Sequence, residues 1–182
     1  MKRWAALAAV PLLSGCGFHP LYGGVNAAMQ ETLSHIYVEP IPDRIGYELR
    51  DQMIDLLDSS GSASGASYRL KMELTQTSQG IALQNAPTTG QQSTVVTRYN
   101  DTIKVTYTLT DMSGKVVTSG VETALSTYNV LPSGNSTLPP HNPLYPNANY
   151  GTLAAQLDAD KRAAQDIAER IRLDLNVYFA KR

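Results

Sequence analysis

The chain contains a single cysteine, Cys16, and its thiol is the most reactive nucleophile in the sequence. One thiol cannot form an internal disulfide and cannot supply a multi-cysteine metal site. The histidines His19, His35 and His141 lie in unrelated segments, and none has a neighbour at metal-ligand spacing. Cys16 therefore remains as a sulfur nucleophile or a point of covalent attachment.

Residues 1–15, MKRWAALAAVPLLSG, have the order of a secretory signal peptide: two positive charges, an apolar run, and small residues at the end. This apolar run is too short to span a membrane as a helix. Leu13-Ser14-Gly15-Cys16 resembles the lipobox of bacterial lipoproteins. That resemblance implies cleavage before Cys16, a diacylglycerol on its sulfur and an acyl chain on the new amine. No other cofactor is expected.

The remaining residues, 16–182, are long enough for one domain with its own core. The chain has 15 basic and 16 acidic side chains, and loss of Lys2 and Arg3 with the signal leaves a formal charge near −3. This balance argues against nucleic acid as a partner. The sequence contains no G-x-S-x-G elbow, P-loop or H-E-x-x-H motif. We therefore predict that the protein is not an enzyme.

Hydrophobic spacing predicts the first elements of the domain. Residues 35–41, HIYVEPI, read as a short strand ended by Pro40 and Pro42. Asp43 then stands at an N-cap position before a helix with apolar residues at helical spacing, which should end near residues 59–61.

Long strands should follow this helix. Apolar and polar residues alternate over 68–74 and again over 95–109, with Asp101 as the one interruption on the apolar side. The second run is unusually long, so we expect a bulge near Asn100-Asp101. A turn at 111–114 leads to a returning strand over 115–128.

A proline-rich insertion around 130–148 precedes a long amphipathic helix from about Tyr150. The element order is therefore β-α-β-β-β-α. It predicts a two-layer α+β domain with a mainly antiparallel four-stranded sheet, covered on one face by two helices. The other sheet face should be polar, and Arg69, Lys71, Arg98 and Lys104 could lie on it. These side chains could meet lipid phosphates or a protein partner, although such charges are more often solvated.

Three segments resemble the LPS-assembly lipoprotein family LptE in its alphaproteobacterial form. They are Cys16-Gly17-Phe18-His19-Pro20-Leu21-Tyr22-Gly23, Ser126-Thr127-Tyr128-Asn129, and the terminal helix over 157–180. The proline-rich insertion departs from the family as a longer link before that helix.

The resemblance implies a lipoprotein anchored in the outer membrane, in keeping with glycine at position 17. It also implies a partner, the outer-membrane β-barrel LptD, whose lumen the protein plugs and whose assembly it supports, and a role in delivering lipopolysaccharide to the cell surface. Two other classes remain open. A lipid-handling auxiliary lipoprotein of an ABC transport system would need an apolar groove, and a periplasmic hydrolase would need a catalytic cluster assembled in three dimensions.

Overall fold

The computed structural model of the chain describes residues 25–88, 91–130 and 148–181. The signal peptide, Cys16 and the segment 16–23 lie outside the described residues, as does nearly all of the proline-rich insertion. The elements in chain order are α1 (Val25–Ser34), β1 (Ile36–Val38), α2 (Arg44–Leu57), β2 (Tyr68–Thr88), β3 (Gln91–Asp111), β4 (Val116–Asn129) and α3 (Ala148–Ala180).

The four strands form one sheet in the order β1-β2-β3-β4. β1 runs parallel to β2, and the other two neighbouring pairs are antiparallel. The predicted α+β class and four-stranded sheet are confirmed. Helix α1 was not predicted, because it is short and only Met29 and Leu33 of its side chains pack against the core.

The hydrophobic core lies between one face of the sheet and the helices. Alternate residues of β3 point into it, and α3 contributes a stripe at helical spacing. The largest fully buried side chains are Leu33, Ile36, Ile41, Leu49, Met53, Leu57, Leu70, Ile103, Leu109, Ile167, Ile171 and Leu175. At one end, the ring of Phe179 meets that of Tyr68 edge-on, with 5.3 Å between centroids.

Strand β1 is short because two prolines follow it. It pairs with β2 from Ile36↔Tyr68 to Val38↔Leu70, and the Glu39 amide then donates to the Leu70 carbonyl oxygen at 2.9 Å. Pro40 and Pro42 have no N–H group and cannot continue the ladder. Beyond Leu70, no described strand pairs with this edge of β2.

The predicted bulge is wrong in position. Pairing runs without a break through Gln79↔Asn100 and Ser78↔Asp101, and the register shifts instead at Ile81 on β2 and at Thr97 on β3. Asp101 therefore keeps the inward orientation of its apolar neighbours and is fully buried.

The predicted boundaries of the two other helices hold to within a few residues. Asp43 occupies the N-cap position of α2, but its φ is 69° and its side chain makes no capping hydrogen bond. The helix ends at Leu57, where Asp58 adopts a left-handed conformation with φ 53°. On α3, Asp158 pairs with Arg162 and Asp166 pairs with Arg170, each four residues apart on the helix.

Candidate functional site

The sheet face opposite the helices, here called the outer face, is rich in hydroxyl groups. Cross-strand register places rows of threonine across it, with exposed Val121 and Leu125 among them. Its threonines are Thr75, Thr77, Thr102, Thr106, Thr108, Thr110, Thr123 and Thr127. A polar face of this kind needs no covering layer in water, and it can also lie against another polar surface.

The four basic residues predicted for the polar face all lie on outward-facing positions of β2 and β3. Arg69 is opposite Thr110, Lys71 opposite Thr108, and Lys104 opposite Thr75. Arg98 is opposite Asn129 on β4. At about 3.3 Å per residue, Arg98 and Lys104 are about 20 Å apart along β3, so the four side chains form a dispersed row and not a cluster.

Two of these basic residues are already paired with carboxylates. Arg69 Nη1 lies 3.3 Å from Glu39 Oε1, and its guanidinium stands 5.7 Å from the centre of the Tyr37 ring. Lys71 Nζ lies 2.9 Å from Glu73 Oε1. The hydrogen bond from Lys71 lowers the pKa of the Glu73 carboxyl. These pairs are exposed to solvent and contribute little to stability.

Arg98 and Lys104 are different, because neither has a carboxylate partner among the described residues. The Arg98 Nε–H donates to Asn129 Oδ1 at 3.0 Å, which leaves its other N–H groups available. Lys104 is exposed in the middle of the outer face. These two side chains are the better candidates for binding an anionic group.

Arg98 also borders a pocket of about 380 Å³ between the end of β4 and α3. The pocket is lined by Arg98, Thr127, Tyr128, Asn129, Ala155, Asp158 and Arg162. The Tyr128 ring stacks on that of Tyr99 with 5.8 Å between centroids. This lining is mostly polar and lacks the apolar wall that a lipid-handling groove requires.

A polar cluster lies on the helix side of the sheet, where Asp101 and Asp160 are buried while Arg44 and Gln76 remain partly exposed. Gln76 Nε2 donates to Asp101 Oδ2 at 2.9 Å and to Asp160 Oδ1 at 3.2 Å. Arg44 on α2 forms a salt bridge with Asp160. The cluster, Arg44, Gln76, Asp101 and Asp160, thus joins α2, β2, β3 and α3 through two carboxylates and one cation.

Burial makes this arrangement costly for the charged carboxylates. It raises the pKa of Asp160, a shift to which Asp101 adds and which Arg44 opposes. The pKa of Tyr128 is also raised, by burial and then by Asp101. Asp101 Oδ1 has no hydrogen-bond partner among the described residues. The cluster therefore fixes the position of α3 on the sheet through directional bonds while carrying excess negative charge.

Sequence reasoning noticed Asp101 as an interruption but missed the cluster. The one sign of the cluster in the sequence was the position of Asp101 on the apolar side of β3, because a carboxylate that faces the core requires hydrogen-bond partners. Its hydrogen-bond partner Gln76 lies 25 residues before it in the chain, and Asp160, which shares that donor, lies 59 residues after it. No spacing rule connects positions so distant.

A close packing contact occurs where β3 meets β4. The Tyr107 hydroxyl donates to Asp174 Oδ2 at 2.8 Å, and burial together with this bond raises the pKa of Tyr107. Gly120 lies directly over the ring, and a Cβ atom there would be 2.6 Å from the hydroxyl oxygen. The absence of a side chain at Gly120 is therefore required by the tyrosine.

Within the described residues, no group of three or more His, Cys, Asp or Glu side chains could hold a metal ion. No described helix combines the length and apolar character needed to cross a bilayer. His35 is exposed, and its Nδ1 lies 2.7 Å from the Glu31 carbonyl oxygen.

Comparison with known proteins gives a family match over most of the chain. The model of the LptE family, described as lipopolysaccharide-assembly, matches residues 33–175. No curated protein matches the chain.

Solved structures agree on the fold. A protein described as a lipoprotein from Caulobacter crescentus CB15 has 24% identity and a TM-score of 0.60, with 86% of this chain and 98% of that chain covered. A minor lipoprotein from Acinetobacter baumannii has 17% identity and a TM-score of 0.50, with 79% of this chain and 92% of that chain covered. The described architecture therefore recurs in proteins of low sequence identity.

Proposed function

The chain belongs to the lipopolysaccharide-assembly family LptE, and from that membership we propose that it is an outer-membrane lipoprotein subunit of the lipopolysaccharide translocon. In this role it plugs the lumen of the large β-barrel LptD, supports assembly of that barrel and assists delivery of lipopolysaccharide to the cell surface. The family is described by an assembly role and not by a reaction. A non-enzymatic role is part of the proposal.

The observation that supports the plug role best is the outer face. Helices cover the opposite face of the sheet, while rows of threonine remain exposed across three strands. The lumen of an outer-membrane barrel is polar. A protein enclosed there needs a hydrophilic surface whose hydroxyl groups can exchange water for polar partners on the lumen wall.

Lipopolysaccharide carries phosphate groups, and charge-assisted hydrogen bonds from Arg or Lys are suited to bind them. Of the four basic residues on the outer face, we propose Arg98 and Lys104 as the contacts, because Arg69 and Lys71 are engaged with Glu39 and Glu73. Arg98 also borders the polar pocket, where Asn129 orients its guanidinium.

The lipid anchor of this proposal is Cys16, which would carry diacylglycerol on its sulfur and an acyl chain on its amine. Each buried CH₂ contributes about 0.8 kcal/mol to membrane binding, so two or three acyl chains hold a protein durably. Mass spectrometry of the amino-terminal peptide from native membranes should find a triacylated Cys16. A free thiol at that position would contradict the anchor.

The plug role is tested by affinity isolation of the full chain from gently solubilised outer membranes. A barrel protein should be recovered in about equal amount, and depletion of the chain should leave that barrel poorly assembled. Recovery of the chain alone, with barrel assembly unaffected by depletion, would refute the proposal.

The phosphate contacts need a separate measurement on the purified complex. Arg98→Ala and Lys104→Ala should each weaken binding of lipopolysaccharide several-fold, on the order of 1 kcal/mol per lost charge-assisted bond. Arg69→Ala and Lys71→Ala are matched controls on the same face and should change binding less. Equal losses in all four variants would mean that general positive charge, and not these two positions, attracts the lipid.

A further inference from the structure

One edge of the sheet, along β2, has no neighbouring described strand over a stretch that lacks charged residues. Beyond Leu70, β2 pairs with β3 on one side, and no described strand pairs with its other side. Every residue from Thr75 to Gly80 is exposed. In these six residues, here called the free edge, every second residue directs its backbone N–H and C=O groups away from β3.

The free edge lacks the usual protection of an exposed strand. Proteins normally blunt such edges with lysine or other charges, with proline, or with bulges. Residues 74–97 contain no Asp, Glu, Lys or Arg, although 17% of the chain is charged. The bulge around Ile81 ends the free edge but does not interrupt it. An uncharged edge of this length is an open template for another strand.

We propose that the free edge is a docking site where an extended, uncharged segment of another protein adds as a further strand beside β2. In this mode, backbone hydrogen bonds supply the binding energy, and alternating side chains supply the selectivity. Because the free edge has no charge to pair with, a charged segment would be desolvated without compensation. An uncharged segment is therefore favoured.

The Ile81 bulge favours a single partner strand over a second copy of this chain. Because the bulge stands at the end of the free edge, a two-fold pair would have a bulge at both ends of the shared ladder, and neither end could be extended. A single segment meets the bulge at one end only. If the partner is the barrel proposed above, the segment is a loop or a terminal strand, because the wall strands of a closed barrel have no free edge.

The proposal is tested with photoreactive p-benzoylphenylalanine placed singly at Thr77, Ser78 and Gln79 of the full chain in its native envelope. Crosslinked peptides should map to one uncharged segment of another protein and should advance along it by one residue for each step along β2. Crosslinks to a second copy, to residues 1–24 or 131–147 of the same chain, or to scattered surfaces would overturn it.

A pair of lysine variants separates the free edge from a general effect of added charge. Thr77 lies on the edge strand β2, whereas Ala63 is exposed in the connector between α2 and β2, outside both the free edge and the outer face. Thr77→Lys should reduce recovery of the crosslinked partner by about tenfold, as an edge lysine does to strand pairing. Ala63→Lys should leave the recovery close to wild type, and equal loss in both would refute edge docking.

This inference rests on the proposed function only for the identity of the partner, and failure of edge docking can be told apart from failure of the plug role. A barrel that still co-purifies at full yield with Thr77→Lys refutes the free edge as its docking site and leaves the plug intact. Absence of any barrel refutes the plug, while ordered crosslinks to another protein would still support the free edge.

Discussion

Asp101 illustrates how a single residue can change the interpretation of a strand. By composition it interrupts an apolar series; in the structure it continues that series inward and meets Gln76, which it shares with Asp160. A buried carboxylate is costly unless it is bonded, and here two of them share one amide donor. The position of the charge could be read from the sequence, but its partners could not.

The raised pKa of Asp160 leads to a pH prediction. A carboxyl whose pKa is higher in the folded than in the unfolded chain is protonated first in the folded chain. The stabilisation that this protonation gives is fully present below the pKa of the carboxyl in the unfolded chain. It is lost as pH rises through the pKa of the carboxyl in the folded chain. Relative to Asp160→Asn, the wild-type free energy of unfolding should therefore increase as pH falls from about 7 to about 4.

Denaturant unfolding of both proteins across this pH range provides the measurement. Asp158→Asn is the control, because Asp158 forms an exposed pair with Arg162 and its loss should cost less than about 1 kcal/mol. If the salt bridge from Arg44 outweighed burial, the wild-type advantage over Asp160→Asn would shrink as pH falls. That opposite slope would contradict the prediction.

Gly120 gives a second prediction at the scale of one residue. Gly120→Ala places a Cβ 2.6 Å from the Tyr107 hydroxyl oxygen and 2.7 Å from atoms of its ring. The ring is buried and bonded to Asp174, so it has little room to move. We expect the free energy of unfolding to fall by about 1–3 kcal/mol. Neighbouring Ser119→Ala, at an exposed site, should change it by less than about 0.5 kcal/mol.

The elements were predicted well where a period was sustained. The alternation over 95–109 identified β3, and the amphipathic pattern from about Tyr150 identified α3, whose Ile167 and Ile171 are buried in the core. Helix α1 was missed because it is short and turns few apolar residues to the core. The bulge was predicted in the wrong place because the length of a strand indicates that a break is expected but not where it lies. In the structure it lies next to Gly80, where a Cβ atom would collide with Val96.

The stripe of α3 can be tested with two leucines only two positions apart. Leu175 is fully buried, whereas Leu173 is 59% exposed. Leu175→Ala should lower the free energy of unfolding by about 2–5 kcal/mol, through lost burial and the cavity that remains. Leu173→Ala should change it by less than about 0.5 kcal/mol. Similar losses in the two variants would mean that α3 packs on the sheet through a different face.

At the scale of the whole molecule, the sheet separates two functions. One face holds the core together with the helices, and the other remains polar and available. The candidate contacts Arg98 and Lys104 were anticipated from the alternation of β3, because parity alone assigns a face. Arg69 and Lys71 lie on the same face but are paired with the carboxylates of Glu39 and Glu73, whereas Arg98 and Lys104 have no such partner among the described residues. Glu39 is distant from Arg69 in sequence and is brought close by the pairing of β1 with β2.

This separation extends to the proposed anchor. The described residues form a hydrophobic cluster by themselves, with side chains from Leu33 to Leu175. Fold stability and membrane attachment should therefore be independent. Joining a signal that is cleaved without lipidation to a chain carrying Cys16→Ser should release the protein from membranes, since the acyl chains supply the attachment. Its free energy of unfolding should remain within about 0.5 kcal/mol of the lipid-bearing protein, because the cluster from Leu33 to Leu175 keeps all of its side chains. Sedimentation of membranes and denaturant unfolding measure the two quantities on the same preparations.

Retention of the unlipidated chain in washed membranes that lack the barrel would indicate a second attachment site. A large loss of stability would mean that the lipidated end takes part in the fold.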